Sequence, residues 1–323
     1  METLAPMPTK RTPEKSDAPN LVYILGCGHS GSTLLALLLG SHPDACTVGE
    51  MRAPKMGEEY LCSCGEPIRK CRFWSDVRDR MAKQGVPNFD ILKARLSIHD
   101  SENPYVHRLL DPLPRGDLLE TVRSVGLSIS PAWRSHLRDV HHRNKALMDV
   151  LFEMTGSRMV IDSSKIALHL RYLLKSPDLK IKIIFMVRDG RAVATSQLGH
   201  GFTLGDRRET IEATALNWMR SNDSCERVLE DVPDSQWLRL SYEDLCRNPE
   251  GKLREIYQFI GLDPDNIILN FRSKEQHILG NEMRMKSGTD IKLDERWRKV
   301  FTPEDIKVYG AIAGDMLRKY GYE

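Results

Sequence analysis

Three short stretches and one isolated carboxylate carry side chains able to hold an anion and work on it. GCGHSGST, residues 26–33, sets Gly26, Gly28 and Gly31 among His29, Ser30, Ser32 and Thr33. A glycine-rich turn opening a helix aims successive backbone N–H groups, and the positive end of the helix dipole, at one point, where an anion belongs. The spacing approaches the phosphate-loop pattern G-x-x-x-x-G-K-[ST], but Ser32 stands where the lysine belongs. That lysine reaches the β- and γ-phosphates, so its loss turns the reading from ATP or GTP toward a ligand with one 5′ phosphate-like group. An ordinary ligand-free turn is the alternative, and Ser-Gly-Ser-Thr at the mouth of an apolar helix argues against it.

The second stretch is DSSK, Asp162 to Lys165; the third is VRDGRAVATS, with Arg188 and Ser196 eight residues apart. A bare guanidinium at the end of an apolar strand is costly to bury. Facing a doubly charged phosphate, each charge-assisted bond contributes ~1.5–3 kcal/mol, and Ser196 can add a second donor. Lys165 has two readings: it sits beside the glycine loop if the two strands are neighbours, or it is solvated behind a helix cap by Ser163 or Ser164. Asp162 can also be read as a magnesium-holding carboxylate of Walker B type. Glu50 is either a general base beside the anion or a surface carboxylate paired with Arg52.

The elements that must position these groups are legible as apolar runs. Leu21–Leu25 reads as a buried strand and Leu34–Leu39 as a buried helix. Ala45–Val48 reads as a short strand that brings Glu50 back toward the loop. Met159–Ile161, before the DSSK stretch, and Ile181–Val187, before Arg188, complete the series. The alternation predicts an α/β three-layer sandwich with a central, mostly parallel sheet and a P-loop-like strand-loop-helix, its ligand crevice at the strand C-termini.

Residues 1–19, with four prolines and no apolar core, read as a disordered leader before a single domain, 20–323. Within it, 53–157 reads as a mostly helical, cysteine-containing insertion that binds the acceptor. Prolines and glycines from Pro104 to Pro131 predict loops. Trp133, Leu137, Val140, Leu147, Val150, Leu151 and Met154 then predict a helix over 133–155, with His136, His141 and His142 solvated. Cys62, Cys64 and Cys71 fall within ten residues, with His42 and Cys46 upstream. The C-x-C spacing is weak support for zinc. Buried thiols beside Phe73 and Trp74, or a redox-sensitive pair, are preferred, and no metal is assigned.

The composition excludes several classes. Lys plus Arg less Asp plus Glu is 47 − 45 = +2 over 323 residues, which gives no global field for duplex nucleic acid or an anionic membrane. No apolar run approaches the ~20 residues of a membrane span. An odd number of cysteines, seven, without a secretory signal leads us to expect free thiols and a cytoplasmic location.

Taken together, GCGHSGST and VRDGRAVATS resemble the 5′-phosphosulfate loop, P-[KR]-S-G-[TS]-[TS], and the 3′-phosphate motif of sulfotransferases that use 3′-phosphoadenosine 5′-phosphosulfate (PAPS). LSYEDLCRNPEGKLREIYQFIGLD, residues 240–263, is similar to the family's strand-tyrosine-helix segment, and RMKSGTD to its Arg-Lys-Gly segment. The resemblance covers 20–50 and 158–300. It implies that Gly28 to Thr33 hold the 5′-phosphosulfate, Arg188 and Ser196 hold the 3′-phosphate, and Tyr242 lies near the adenine. It also implies that Arg284, Lys286 and Gly288 close over the 3′-phosphate. The implied reaction is sulfuryl transfer to a hydroxyl or amine of a lipid, sugar, peptide or small molecule, leaving adenosine 3′,5′-bisphosphate.

Two departures matter. His29 stands where relatives carry Lys or Arg, and with an ordinary pKa of ~6.5 it is only partly cationic at neutral pH. The histidine base of the cytosolic small-molecule branch has no counterpart before His169. Glu50 instead resembles the carboxylate base of the tyrosylprotein and carbohydrate branches. It becomes the expected base, with Lys165 and His29 stabilising the sulfuryl and leaving oxygens. Two alternatives stand beside this: a P-loop kinase using Asp162 and magnesium, and a non-catalytic PAPS-binding module.

Overall fold

The computed structural model describes residues 19–51, 57, 59–94, 96–99, 101–110, 117–285 and 288–322. Arg52, Lys286 and all of the expected leader but residue 19 lie outside them.

The chain opens with β1 (Leu21–Gly26), α1 (Ser32–Gly40) and β2 (Ala45–Gly49). The insertion follows: α2 (Arg72–Lys83), α3 (Pro104–Leu109), α4 (Asp117–Ile129) and α5 (Pro131–Thr155). The core resumes with β3 (Met159–Lys165), α6 (Ala167–Leu173), β4 (Ile181–Val187), α7 (Gly190–Gly199) and α8 (Arg207–Leu229). It ends with β5 (Trp237–Ser241), α9 (Tyr242–Arg247), α10 (Pro249–Ile260), α11 (Trp297–Val300) and α12 (Pro303–Tyr320). The strands form one sheet in the order β2-β3-β1-β4-β5, with every pairing parallel.

Both faces of the sheet are covered, which is why the strands read as unbroken apolar runs. Val22 and Ile24 of β1 pack with Leu34–Leu39 of α1 and with Leu253, Ile256 and Ile260 of α10. Leu21, Tyr23 and Leu25 face the other way, against Leu147, Val150 and Leu151 of α5 and Cys225 and Val228 of α8. Each such aliphatic side chain contributes ~1.5–3 kcal/mol when fully buried.

Register then decides what meets at the crevice. Gly26 lies opposite Met186, Leu25 opposite Lys165, and Gly49 opposite Asp162. The C-terminal ends of β3, β1 and β4 are therefore nearly level, β2 ends opposite Asp162, and DSSK forms the end of β3 itself. The chain leaves β1 for β2 on one side and reaches β4 on the other, so the glycine loop sits at the switch point of the sheet.

The insertion is more helical than its prolines suggest. Pro104 sits in the first turn of α3 behind an Asn103 cap, where a missing N–H costs nothing. α4 carries Gly126 in its interior and still buries Leu127 against Ile98, Val106, Trp133 and Val140. α5 matches the predicted helix, capped by Ser130 and ended by left-handed Gly156. Two of its histidines are tethers rather than solvated side chains. His136 Nε2 lies 2.9 Å from the Ile98 carbonyl, and His141 Nε2 3.0 Å from that of Tyr172. No helix among the described residues is long and apolar enough to cross a membrane.

Candidate active site

The loop between β1 and α1 folds as the glycines require. His29 and Gly31 both adopt left-handed backbone, with φ of 64° and 93°. A Cβ on Gly31 would lie 2.5 Å from Cδ2 of Tyr242, so the position needs glycine on two counts. Gly31 caps α1 with no side-chain hydrogen bond to its first N–H groups. Those donors face a cleft of about 600 Å³ lined by Gly28, His29, Gly31, Ser32 and Thr33 from the loop. Ser30 departs from expectation. Its hydroxyl is buried beneath the loop, on the Gly26 side, without a hydrogen-bond partner among the described residues, because left-handed neighbours turn it inward.

The other strand ends deliver Glu50, Lys165, Arg188 and Ser196 to the same cleft. Glu50 and Lys165 form a buried ion pair, with Nζ 2.6 Å from Oε1. Lys165 Nζ also donates to the Ser163 carbonyl at 2.9 Å. Lys165 has φ of 71°, an uncommon conformation for a side chain of this size, imposed as β3 ends beside the loop. Tethering Lys165 to Glu50 replaces the solvated lysine considered from sequence, while the Glu50–Arg52 pairing lies outside the described residues.

Arg188 is almost fully buried yet well supplied with partners, contrary to the bare guanidinium inferred from sequence. Nη1 donates to the His29 carbonyl at 2.8 Å, and Nη2 to Asp294 Oδ2 at 3.0 Å. Its plane stacks 4.3 Å from the Tyr242 ring centroid. The second arginine of the motif is structural: Arg191 forks onto Asp189 at 3.0 and 2.8 Å and lies over Trp297. Asp294 also accepts from Arg296, and that pairing, with Arg188, holds its carboxyl well below the usual carboxylate range. Ser196 Oγ is 3.1 Å from His29 Nδ1. Burial, aided by His200, Lys165 and Arg188, pushes the His29 imidazole below its ordinary pKa, so without an anion it is neutral at pH 7.

Three expectations are corrected. Asp162 does not face the cleft. Its Oδ1 accepts from the Met51 and Ser164 N–H groups and the Ser164 hydroxyl, and burial raises its pKa from 3.8 to about 6. It braces the turn after β2 and does not present itself to a metal. Arg284 is buried away from the cleft, donating to the carbonyls of Gly280 at 2.7 Å and Leu61 at 3.0 Å and stacking on Tyr60. Its neighbours in sequence take its place on the cleft wall: Asn281, Glu282, Met283 and Gly288. His169, the other histidine considered, is buried behind Tyr23 rather than in the cleft.

Sequence reasoning missed Asp294, Arg296, His200 and Asn281, all of which line the cleft. Phe271 to Lys299 holds eight Lys or Arg against five Asp or Glu, and that basic bias was the available signal for Arg296. As arranged, the cleft offers uncapped helix N–H groups and hydroxyls at one end. Arg188 lies beyond them, and a carboxylate–ammonium pair lies at the side. That suits a ligand with two separated anionic groups and a proton-transfer step between them.

Comparison with known proteins gives the same direction. Residues 19–266 match the family described as Sulfotransferase family. The chain is similar to Protein-tyrosine sulfotransferase A of Caenorhabditis elegans, 27% identical over 156 residues, covering 44% of this chain and 39% of that protein. It is also similar to Carbohydrate sulfotransferase 1 of Mus musculus, 25% identical over 174 residues, covering 48% and 42%. The matches therefore span less than half of each of these relatives. Among solved structures, the sulfotransferase domain from the curacin biosynthetic pathway superposes with a TM-score of 0.52 at 16% identity, covering 95% of this chain and 99% of that one. The fold is shared.

Proposed function

Since the chain belongs to the sulfotransferase family, we propose that it transfers a sulfuryl group from PAPS to a hydroxyl, with Glu50 as general base. The observation that carries this is the level ending of β3, β1 and β4, which supports one ligand lying across Lys165, the glycine loop and Arg188. The residues fit such a donor. The uncapped N-terminus of α1 suits a terminal phosphosulfate, and Ser32 in place of a lysine leaves no reach toward a triphosphate. Arg188 and Ser196 suit the 3′-phosphate. Tyr242, stacked on Arg188, suits a position beside the nucleoside.

The donor supplies an activated sulfuryl group, and the chain supplies position and charge. Loop N–H groups and the Ser32 and Thr33 hydroxyls hold the 5′ end. Lys165 meets the charge that grows on the leaving oxygen. His29 gains a proton more readily once an anion lies beside it, and then adds a second positive group. Glu50 accepts the proton of the acceptor hydroxyl. Relatives named for protein tyrosine and for carbohydrate favour a hydroxyl acceptor, reached from the mouth of the cleft near residues 281–283. The sequestered Asp162 carboxylate disfavours the magnesium-kinase alternative.

The test is incubation with labelled PAPS and an extract of the host, with the sulfated product identified by mass spectrometry. Glu50→Gln should slow turnover ~10²–10⁴-fold while leaving nucleotide affinity nearly unchanged. Full activity in that variant would remove Glu50 as base. Donor binding with no transfer to any acceptor would favour a sensing module.

A further inference from the structure

Away from the cleft, the insertion and the chain after α10 meet at a cluster of four ligand-competent atoms. Cys62, Cys64 and Cys71 converge with His277, and all four atoms lie within 4.8 Å of one another. The fourth member was invisible from sequence: His277 is 206 residues from Cys71. The companions suggested by proximity in the chain are elsewhere. His42 bonds the Asp263 carbonyl, and the Cys46 thiol faces Ser157 and Thr155.

We propose that Cys62, Cys64, Cys71 and His277 bind one zinc ion in a closed tetrahedral site that clamps the insertion to the wall of the cleft. Three of the six separations are close to a tetrahedron's edges, and the others lie within 4.8 Å. Cys64 Sγ to Cys71 Sγ is 3.6 Å, and His277 Nδ1 lies 3.5 Å from Cys62 Sγ and 3.4 Å from Cys71 Sγ. Zinc bonds of ~2.3 Å to sulfur and ~2.0 Å to nitrogen would give edges of ~3.8 and ~3.5 Å.

The surroundings are built for the purpose. Cys62 to Gly65 forms a tight turn in which Gly65 N–H donates to the Cys62 carbonyl at 2.9 Å, with left-handed Gly65 at its end. Backbone N–H groups of Cys64 and Trp74 face the Cys62 and Cys71 sulfurs, where thiolates want donors. His277 is held flat by Phe73, with ring centroids 4.5 Å apart and planes within 9°. Its Nε2 faces Glu275 Oε1 at 3.4 Å, the outward partner that fixes the metal-binding tautomer. A Cys64–Cys71 disulfide would leave Cys62 and His277 unexplained and would need an oxidant. Four protein ligands leave no open position, and none lines the cleft, so the ion is structural rather than catalytic. Binding displaces the thiol protons to solvent.

The clamp reaches the chemistry through three residues of chain. Beyond His277, Leu279 N–H donates to the Val48 carbonyl at 2.8 Å, continuing the edge of β2. Tyr60 OH donates to the Gly280 carbonyl and accepts from its N–H. Gly280 in turn backs the Glu50 carboxylate.

Chain purified without chelator, under reducing conditions, should carry about one zinc by elemental mass spectrometry. Replacement by cobalt should give the visible bands of a tetrahedral site with thiolate charge transfer. Cys64→Ser, at the exposed ligand, and His277→Ala should each lower zinc content at least ~10-fold. Chelation should raise hydrogen exchange in residues 60–71 and 276–284. Reduced wild-type chain that neither carries zinc nor takes up cobalt would overturn the proposal. Undiminished zinc in both variants, or a Cys64–Cys71 disulfide in freshly isolated chain, would do the same.

Discussion

Arginine 188 gives the sharpest test of the two-anion arrangement, because its donors can be counted. A guanidinium has five N–H groups. One is spent on the His29 carbonyl and two on Asp294, through its backbone oxygen and its carboxylate. Nε is buried without a partner among the described residues, and one Nη1 N–H of this cleft-lining residue is left for a ligand. A single charge-assisted bond contributes ~1.5–3 kcal/mol, so Arg188→Ala should weaken a 3′-phosphate ligand roughly 10- to 150-fold. The variant also strips partners from His29, Asp294 and Tyr242, and that structural loss must be separated. Calorimetric titration with adenosine 3′,5′-bisphosphate and with adenosine 5′-phosphate does so. The structural part falls on both ligands, and the 3′-phosphate part on the first alone. Equal losses for the two nucleotides, or none for either, would refute the assignment.

Further outcomes follow from the same site. Asp162 has a folded pKa of about 6 against 3.8 unfolded, so the native state holds the extra proton between those values. Stability should therefore fall as pH rises through about 4 to 6 and level off above, a loss on the order of 3 kcal/mol. Asp162→Asn keeps the Oδ1 acceptor and should abolish that slope in thermal melts while leaving sulfuryl transfer intact; an unchanged slope would reassign the titration. His29 is pushed down by burial when free and pulled up by a bound anion, so the complex holds more protons and affinity should weaken as pH rises above the lowered pKa of the free imidazole. Protonation of the nucleotide's own phosphates acts oppositely. The difference between wild type and His29→Asn in calorimetry is therefore the readout, and identical pH profiles would exclude the histidine. Gly31→Ala forces a Cβ into Tyr242 at a left-handed position, a strain of about 1–3 kcal/mol before any clash. It should lower both the melting temperature and nucleotide affinity, and a variant unchanged in both would show that the loop tolerates a side chain there.

What could be read from the sequence was what lies in consecutive residues. β1, the glycine loop and α1 were legible because one run of residues encodes both the buried strand and helix and the turn between them. Arg188 was legible because a charge ends an apolar strand abruptly. Pairings between distant segments were not. Lys165 could be placed beside the loop only on the condition that β3 and β1 were neighbours, and nothing local tied its ammonium to Glu50. Arg284 matched a motif by composition, yet carbonyls of Leu61 and Gly280 compete for its guanidinium and hold it in the wall. Helices α3 and α4 were hidden by Pro104 and Gly126, since a proline opening a helix and a glycine packed within one look like loop signals when tertiary context is unknown. The cysteines could be counted, but their imidazole partner lies on the far side of the domain in sequence.

The contact between Glu50 and Lys165 carries a kinetic implication. Glu50 Oε1 already accepts from Lys165 Nζ at 2.6 Å, so in the proposed mechanism carboxylate and ammonium occupy one another until a ligand enters. The proposed phosphosulfate donor competes for that ammonium and leaves the carboxylate oxygen free for the acceptor's proton. On the proposed function, donor arrival arms the step that consumes it, which predicts a compulsory order with the nucleotide first and the acceptor second.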